Sequence, residues 1–161
     1  MKRPIRAFVF LFLLFAAGIS AADKPYFSGS YTLTGVSGPK YEKGTIQKLR
    51  VVQTGSSVEV TQTISGHPNV NTYPLSDKEG VYESPGGAKG TCKAQSKKNE
   101  LVLDSVVTTR PDVTSPIVQI HTKQKWQLSR DLKTLTIRNT VDSPQSAINI
   151  IEPWTEIYTR D

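Results

Sequence analysis

The chain has 161 residues, with 20 Lys and Arg against 14 Asp and Glu, a formal charge of +6 and a single cysteine. That length holds one domain, or at most two very small ones, and the lone Cys excludes both an intramolecular disulfide framework and a Cys-rich zinc site. With 37% apolar and 8% aromatic residues, the composition is neither collagen-like nor that of a disordered chain.

The first element is an export leader. Lys2, Arg3 and Arg6 precede an apolar run over 7–19, and Ser20-Ala21-Ala22 supplies the small residues of a cleavage site. This is the three-part layout of a signal peptide. A membrane-spanning helix needs about 17–25 apolar residues, and the 13 of this run fall short. Cleavage after Ala22 divides the chain into a 1–22 leader and a 23–161 domain whose 17 cationic and 14 anionic side chains leave +3. Half of the charge that suggests nucleic acid therefore belongs to the leader, and no nucleic-acid partner is expected. No Cys follows the apolar run to accept a lipid, so no stable membrane anchor is expected after cleavage. Export without disulfides, and without an Asn-x-Ser/Thr sequon, points to a bacterial periplasm or exterior.

The remainder is anti-helical. Residues 23–161 contain three Ala but 17 Thr, 13 Val and 9 Ile, and β-branched side chains favour a pleated surface. Alternation predicts strands over 27–36, 45–54, 57–64, 69–75, 80–84, 90–95, 100–110, 117–128, 134–141 and 154–159. In the eighth, Val118, Ile120, Gln124, Trp126 and Leu128 share one face, while His121, Lys123 and Lys125 share the other. In the ninth, Leu135, Ile137, Asn139 and Val141 oppose Thr136, Arg138 and Thr140. Thr54-Gly55-Ser56-Ser57 reads as a tight hairpin turn with Gly55 at positive φ. The segments 37–44, 65–68, 84–90 and 142–153 read as loops. Short connections make sequence neighbours into spatial neighbours. An all-β meander of this kind closes or folds over, and an up-and-down antiparallel barrel of about 8–10 strands is favoured over a sandwich.

The opening Phe27-Ser28-Gly29-Ser30-Tyr31, with its Gly29-x-Tyr31, is similar to the Gly-x-Trp that begins lipocalins. The stretch Lys125 to Thr136 carries W-x-L-S-x-D-x-x-x-L-T, and the end Ile157-Tyr158-Thr159-Arg160 pairs an aromatic with an Arg. Together these resemble the lipocalin-like (calycin) β-barrels, especially the small secreted bacterial ones. The resemblance implies a barrel able to hold a small apolar ligand.

Polar residues interrupt faces that alternation turns inward: Gln62, Gln124 and Asn139, with Ser105 between Leu103 and Val107. A buried amide without partners costs about 1–3 kcal/mol, so these residues face each other, water or a ligand. A rim position, or a bulge that flips the register, is the plainer explanation. In the ligand reading, Tyr31, Leu33, Trp126 and Ile137 form apolar walls around Gln62, Ser105, Gln124 and Asn139. Trp126 is most simply a core residue, and the face of Trp154 is ambiguous.

Catalytic chemistry is hard to find. Cys92 lies between Lys89 and Lys93, cations able to lower a thiol pKa. His121, however, points outward and His67 lies in a loop, so a buried or half-exposed free Cys is the better reading, with an intermolecular disulfide as the residual. Two scattered His give no metal spacing, and no G-x-S-x-G or H-E-x-x-H occurs. No cofactor is expected. Lys89, Lys93, Lys97 and Lys98 read as a solvated edge. The leading expectation is a non-enzymatic periplasmic or secreted barrel with a small apolar ligand inside. The alternative is an interaction protein acting through loops 37–44, 65–79 and 142–153.

Overall fold

A computed structural model describes residues 26–38, 46–97, 99–110, 114, 116–143 and 152–161. The leader and the cleavage site lie outside the described residues. All regular structure among those residues is β-strand: β1 (Gly29–Ser37), β2 (Ile46–Gln53), β3 (Ser57–Ile64), β4 (His67–Pro74), β5 (Gly80–Glu83), β6 (Lys89–Lys97), β7 (Glu100–Thr109), β8 (Val118–Leu128), β9 (Thr134–Asp142) and β10 (Trp154–Arg160).

The strands form one antiparallel sheet in the order β4-β3-β2-β1-β10-β9-β8-β7-β6-β5. Each strand pairs with a sequence neighbour, and β1 pairs with β10, so the meander curls into a nearly closed barrel. The expected all-β barrel is the observed one. Its last seam lies between β4 and β5, where no ladder is formed among the described residues. Side chains close it instead. Asn71 accepts the Glu83 N–H at 2.8 Å and donates to the Glu83 carbonyl at 3.0 Å, and Asn69 donates to the same carbonyl at 3.2 Å. Cys92 Sγ donates toward the Thr72 carbonyl at 3.4 Å, and the Tyr73 and Tyr82 rings meet at 6.1 Å.

Two strands, β4 and β6, reach two residues beyond their expected bounds. β4 begins at His67, although 65–68 was expected to be a loop, and it contains Pro68 and ends at Pro74. As an edge strand with one ladder partner it can carry residues that lack an N–H. Its turn contracts to Ser65-Gly66, with φ of 48° and 82°, and Gly66 supplies the left-handed backbone that a two-residue hairpin needs. The expected interaction loop 65–79 is therefore mostly strand, and the expected loops 37–44 and 142–153 fall largely outside the described residues. β6 runs on to Lys97 because it pairs with β7 along its whole length. The 54–57 turn exists, but Gly55 is not at positive φ. Thr54 organises it: Oγ1 accepts the N–H groups of Ser56 and Ser57 at 3.2 and 3.0 Å, so a side chain does the work assigned to glycine.

The end bearing the 54–57 turn is here the lower end. There the inward faces form the core: Phe27, Tyr31, Leu49, Val51, Val58, Leu101, Trp126, Leu135 and Tyr158 are buried in one cluster. Phe27 plugs the floor edge-on to Trp126, ring centroids 6.4 Å apart. The Tyr31 hydroxyl donates to the Phe27 carbonyl at 2.7 Å and accepts from Arg160 Nη2 at 2.7 Å, with the guanidinium over the Tyr31 ring. A Cβ on Gly29 would lie 3.1 Å from Arg160 Nε, so the Gly-x-Tyr opening makes room for the Arg that closes the chain.

Candidate ligand site in the upper barrel

Above this core the inward positions change character. Leu33, Gln62, Ile64, Thr122, Gln124, Val141 and Trp154 point inward by alternation yet remain half-buried. Among the described residues the β1–β2 ladder covers Gly29–Thr32 against Val51–Lys48, and β1 shifts register between Leu33 and Gly35 in its pairing with β10. Beside these strands lies a cleft of about 380 Å³ lined by Thr32 to Val36 with Gln47 and Lys48. Ligand pockets span about 300–1,000 Å³, and the cleft, which includes the inward-facing Leu33, falls within that range.

A polar belt marks the boundary between core and upper barrel. On one side Gln124 Nε2 donates to Asn139 Oδ1 at 2.8 Å, and Trp126 Nε1 donates to Gln124 Oε1 at 3.3 Å. Beside them Glu156 accepts from the Trp154 indole at 3.1 Å and from the Tyr158 hydroxyl at 3.0 Å. Burial first, and the Glu156 charge second, push the Tyr158 hydroxyl far above its ordinary pKa, keeping it protonated as a donor. Across the barrel, the Tyr82 ring meets that of Tyr73 at the seam, where Asn71, Cys92 and Ser105 are buried. Burial raises the pKa of both tyrosines.

These positions place each expected site residue. Tyr31, Trp126 and Ile137 belong to the closed core and form the floor of the upper space rather than its walls. Leu33, Gln62 and Gln124 sit half-buried at the boundary, and Ser105 and Asn139 are buried within the belt. A flipped register does not account for Gln124 and Asn139, because the β8–β9 register runs unbroken from His121 to Leu128. Trp154 faces inward and holds Glu156. Glu156, Tyr82 and Asn71 were missed by the sequence reading. Alternation along Trp154, Glu156 and Tyr158 was visible, but a carboxylate between two aromatics left the face undecided.

Cys92 is buried, with its thiol on the Thr72 and Val81 carbonyls. Burial, followed by the Glu79 carboxylate, raises its pKa from 9.0 to about 11. The neighbouring lysines therefore do not activate it, which corrects that part of the expectation. His121 points outward and pairs with Asp104. Among the described residues no group of three His, Cys, Asp or Glu could hold a metal ion.

This geometry is shared with solved structures. The REP1-NXSQ fatty acid transporter superposes with a TM-score of 0.59 at 11% identity, covering 84% of this chain and 96% of that one. The zebrafish ileal bile-acid-binding protein in complex with cholic acid gives 0.57 at 18% identity, over 84% and 98%. Lipid binding protein 8 of Caenorhabditis elegans gives 0.53 at 9%, over 84% and 95%. The chain has the calycin β-barrel fold. The barrel has ten strands among the described residues, where lipocalins have eight. No protein-family model matches the sequence, and no curated protein is similar to it in sequence.

Proposed function

We propose that this calycin barrel is an exported, non-enzymatic carrier that holds a small, largely apolar ligand in the upper half of its interior. One observation carries the reading: inward-facing side chains are buried together in the lower half but half-buried above the polar belt, beside a cleft lined by β1 and β2. A handful of oriented polar groups on an otherwise apolar surface is the usual make-up of a ligand site. The similar structures named above include a fatty acid transporter and a protein holding cholic acid, which supports an amphipathic lipid as the ligand class. Leu33, Gln62, Gln124 and Trp154 would touch the ligand, with Ser105 and Asn139 behind them and Tyr31, Trp126 and Ile137 as the floor.

Native mass spectrometry of the protein purified from its own host, with tryptophan quenching against a lipid panel, tests the reading. A mass adduct or saturable quenching of Trp154 is expected. An adduct-free protein that no lipid quenches would overturn it. The leader predicts export and a mature chain of residues 23–161, which cell fractionation and the intact mass of the exported protein check.

A further inference from the structure

Among the described residues the belt holds a charge without a counter-ion and a donor without an acceptor. Glu156 is 8% exposed, and among those residues its two oxygens accept the neutral donors of Trp154 and Tyr158. The one described cation on the inward face of β10 is Arg160, two inward positions lower, occupied by Tyr31 and the carbonyls of Ser28 and Tyr26. Asn139 is 1% exposed; its carbonyl oxygen takes the Gln124 amide, but its Nδ2 has no partner. A buried amide N–H left unpaired is costly, and native interiors pair such groups. Asn139 and Glu156 lie on the adjacent, hydrogen-bonded strands β9 and β10, where Asn139 opposes Trp154 and Glu156 opposes Ile137. That makes them diagonal neighbours on one face, about 7–8 Å or less apart.

We infer that the polar end of the ligand is a hydroxyl group, seated between Asn139 and Glu156, and that carboxylates are rejected there. The inference rests on the carrier reading above. A hydroxyl accepts from Asn139 Nδ2 and donates to a free lone pair of Glu156, matching both open valences at once. An ammonium group offers nothing to Asn139. A carboxylate would accept from Asn139 but set a second negative charge beside Glu156 in a desolvated site, where like charges repel strongly.

Decanol and decanoate, equal in chain length, separate these possibilities by competing against the neutral apolar fluorophore N-phenylnaphthylamine bound to the purified protein at neutral pH. Decanol is expected to displace the fluorophore at a concentration about tenfold or more below decanoate. In Glu156→Gln the gap is expected to narrow to about threefold or less, because the repulsion is gone. Asn139→Ala, which removes the unpaired donor without adding charge, is expected to weaken decanol about fivefold and serves as the test if the Glu156 variant does not fold. Decanoate competing as well as decanol, or a preference unchanged in both variants, would overturn the hydroxyl assignment and leave the carrier reading standing. A protein that binds neither the fluorophore nor either ligand would remove the carrier reading and the assignment together.

Discussion

The two halves of the barrel are built from the same strands and the same alternation, yet they are different materials. The lower half joins Phe27, Trp126, Tyr31 and Tyr158 into one buried core cluster. The upper half keeps the alternation but replaces filling residues with amides, threonines and Glu156, beside a cleft lined by β1 and β2. Burial of apolar area stabilises the first. The second forgoes that stabilisation, which is the usual mark of surface kept for something other than folding.

If the lower half holds the fold, truncation there should cost far more than truncation above the belt. Trp126→Ala is expected to lose about 3–5 kcal/mol by urea unfolding, whereas Leu33→Ala should lose about 1 kcal/mol, since its side chain already keeps exposure. Equal losses would erase the distinction. The seam comes next. Asn71→Leu leaves the Glu83 N–H without its acceptor and the Glu83 carbonyl with Asn69 alone, an expected cost of about 1–3 kcal/mol, with faster amide exchange at Glu83 as the local signature.

The Cys92 thiol sharpens the seam further through pH. Its folded pKa of about 11 stands above the ordinary 9.0, so the folded state holds that proton more tightly than the unfolded state. Its contribution to stability is complete below pH 9.0 and is lost as pH rises through about 11. Tyr73 and Tyr82, also raised by burial, extend the loss to higher pH. Cys92→Ala should delay the onset of alkaline unfolding, and the native thiol should react with a disulfide reagent at neutral pH far more slowly than in denaturant. The smallest effect is expected at the lower rim. The Ser129 hydroxyl and then the Lys133 N–H hold the Asp131 carboxyl below its ordinary 3.8. Stability from this exposed cap is present above pH 3.8 and fades as pH falls through the lower folded value. Asp131→Asn should remove that acid dependence while barely moving the melting temperature at neutral pH.

The strands were legible because period-two alternation is a direct imprint of a one-sided core, and His121, Gln124 and Asn139 were assigned to their correct faces on that ground alone. Depth along a strand leaves no such imprint. Trp126 and Gln124 alternate identically in sequence, yet one is sealed and the other half-exposed, because depth depends on which residues stand opposite. Turn chemistry misled at Gly55, where a threonine side chain replaced a glycine backbone. Glu156 was missed for a related reason: a carboxylate on an inward face is recognisable only when its donors, Trp154 and Tyr158, are seen to point at it.

The most direct test of a sealed lower half beneath a binding upper half is a backbone and indole NMR titration of the labelled protein with decanol. Shifts are expected at Leu33, Gln62, Gln124 and the Trp154 indole, with Phe27, Val51 and Val58 unmoved. Shifts concentrated instead around Tyr26, Gln53 and Leu75, which line a hollow of about 670 Å³ at the lower end, or no saturable shift anywhere, would contradict it.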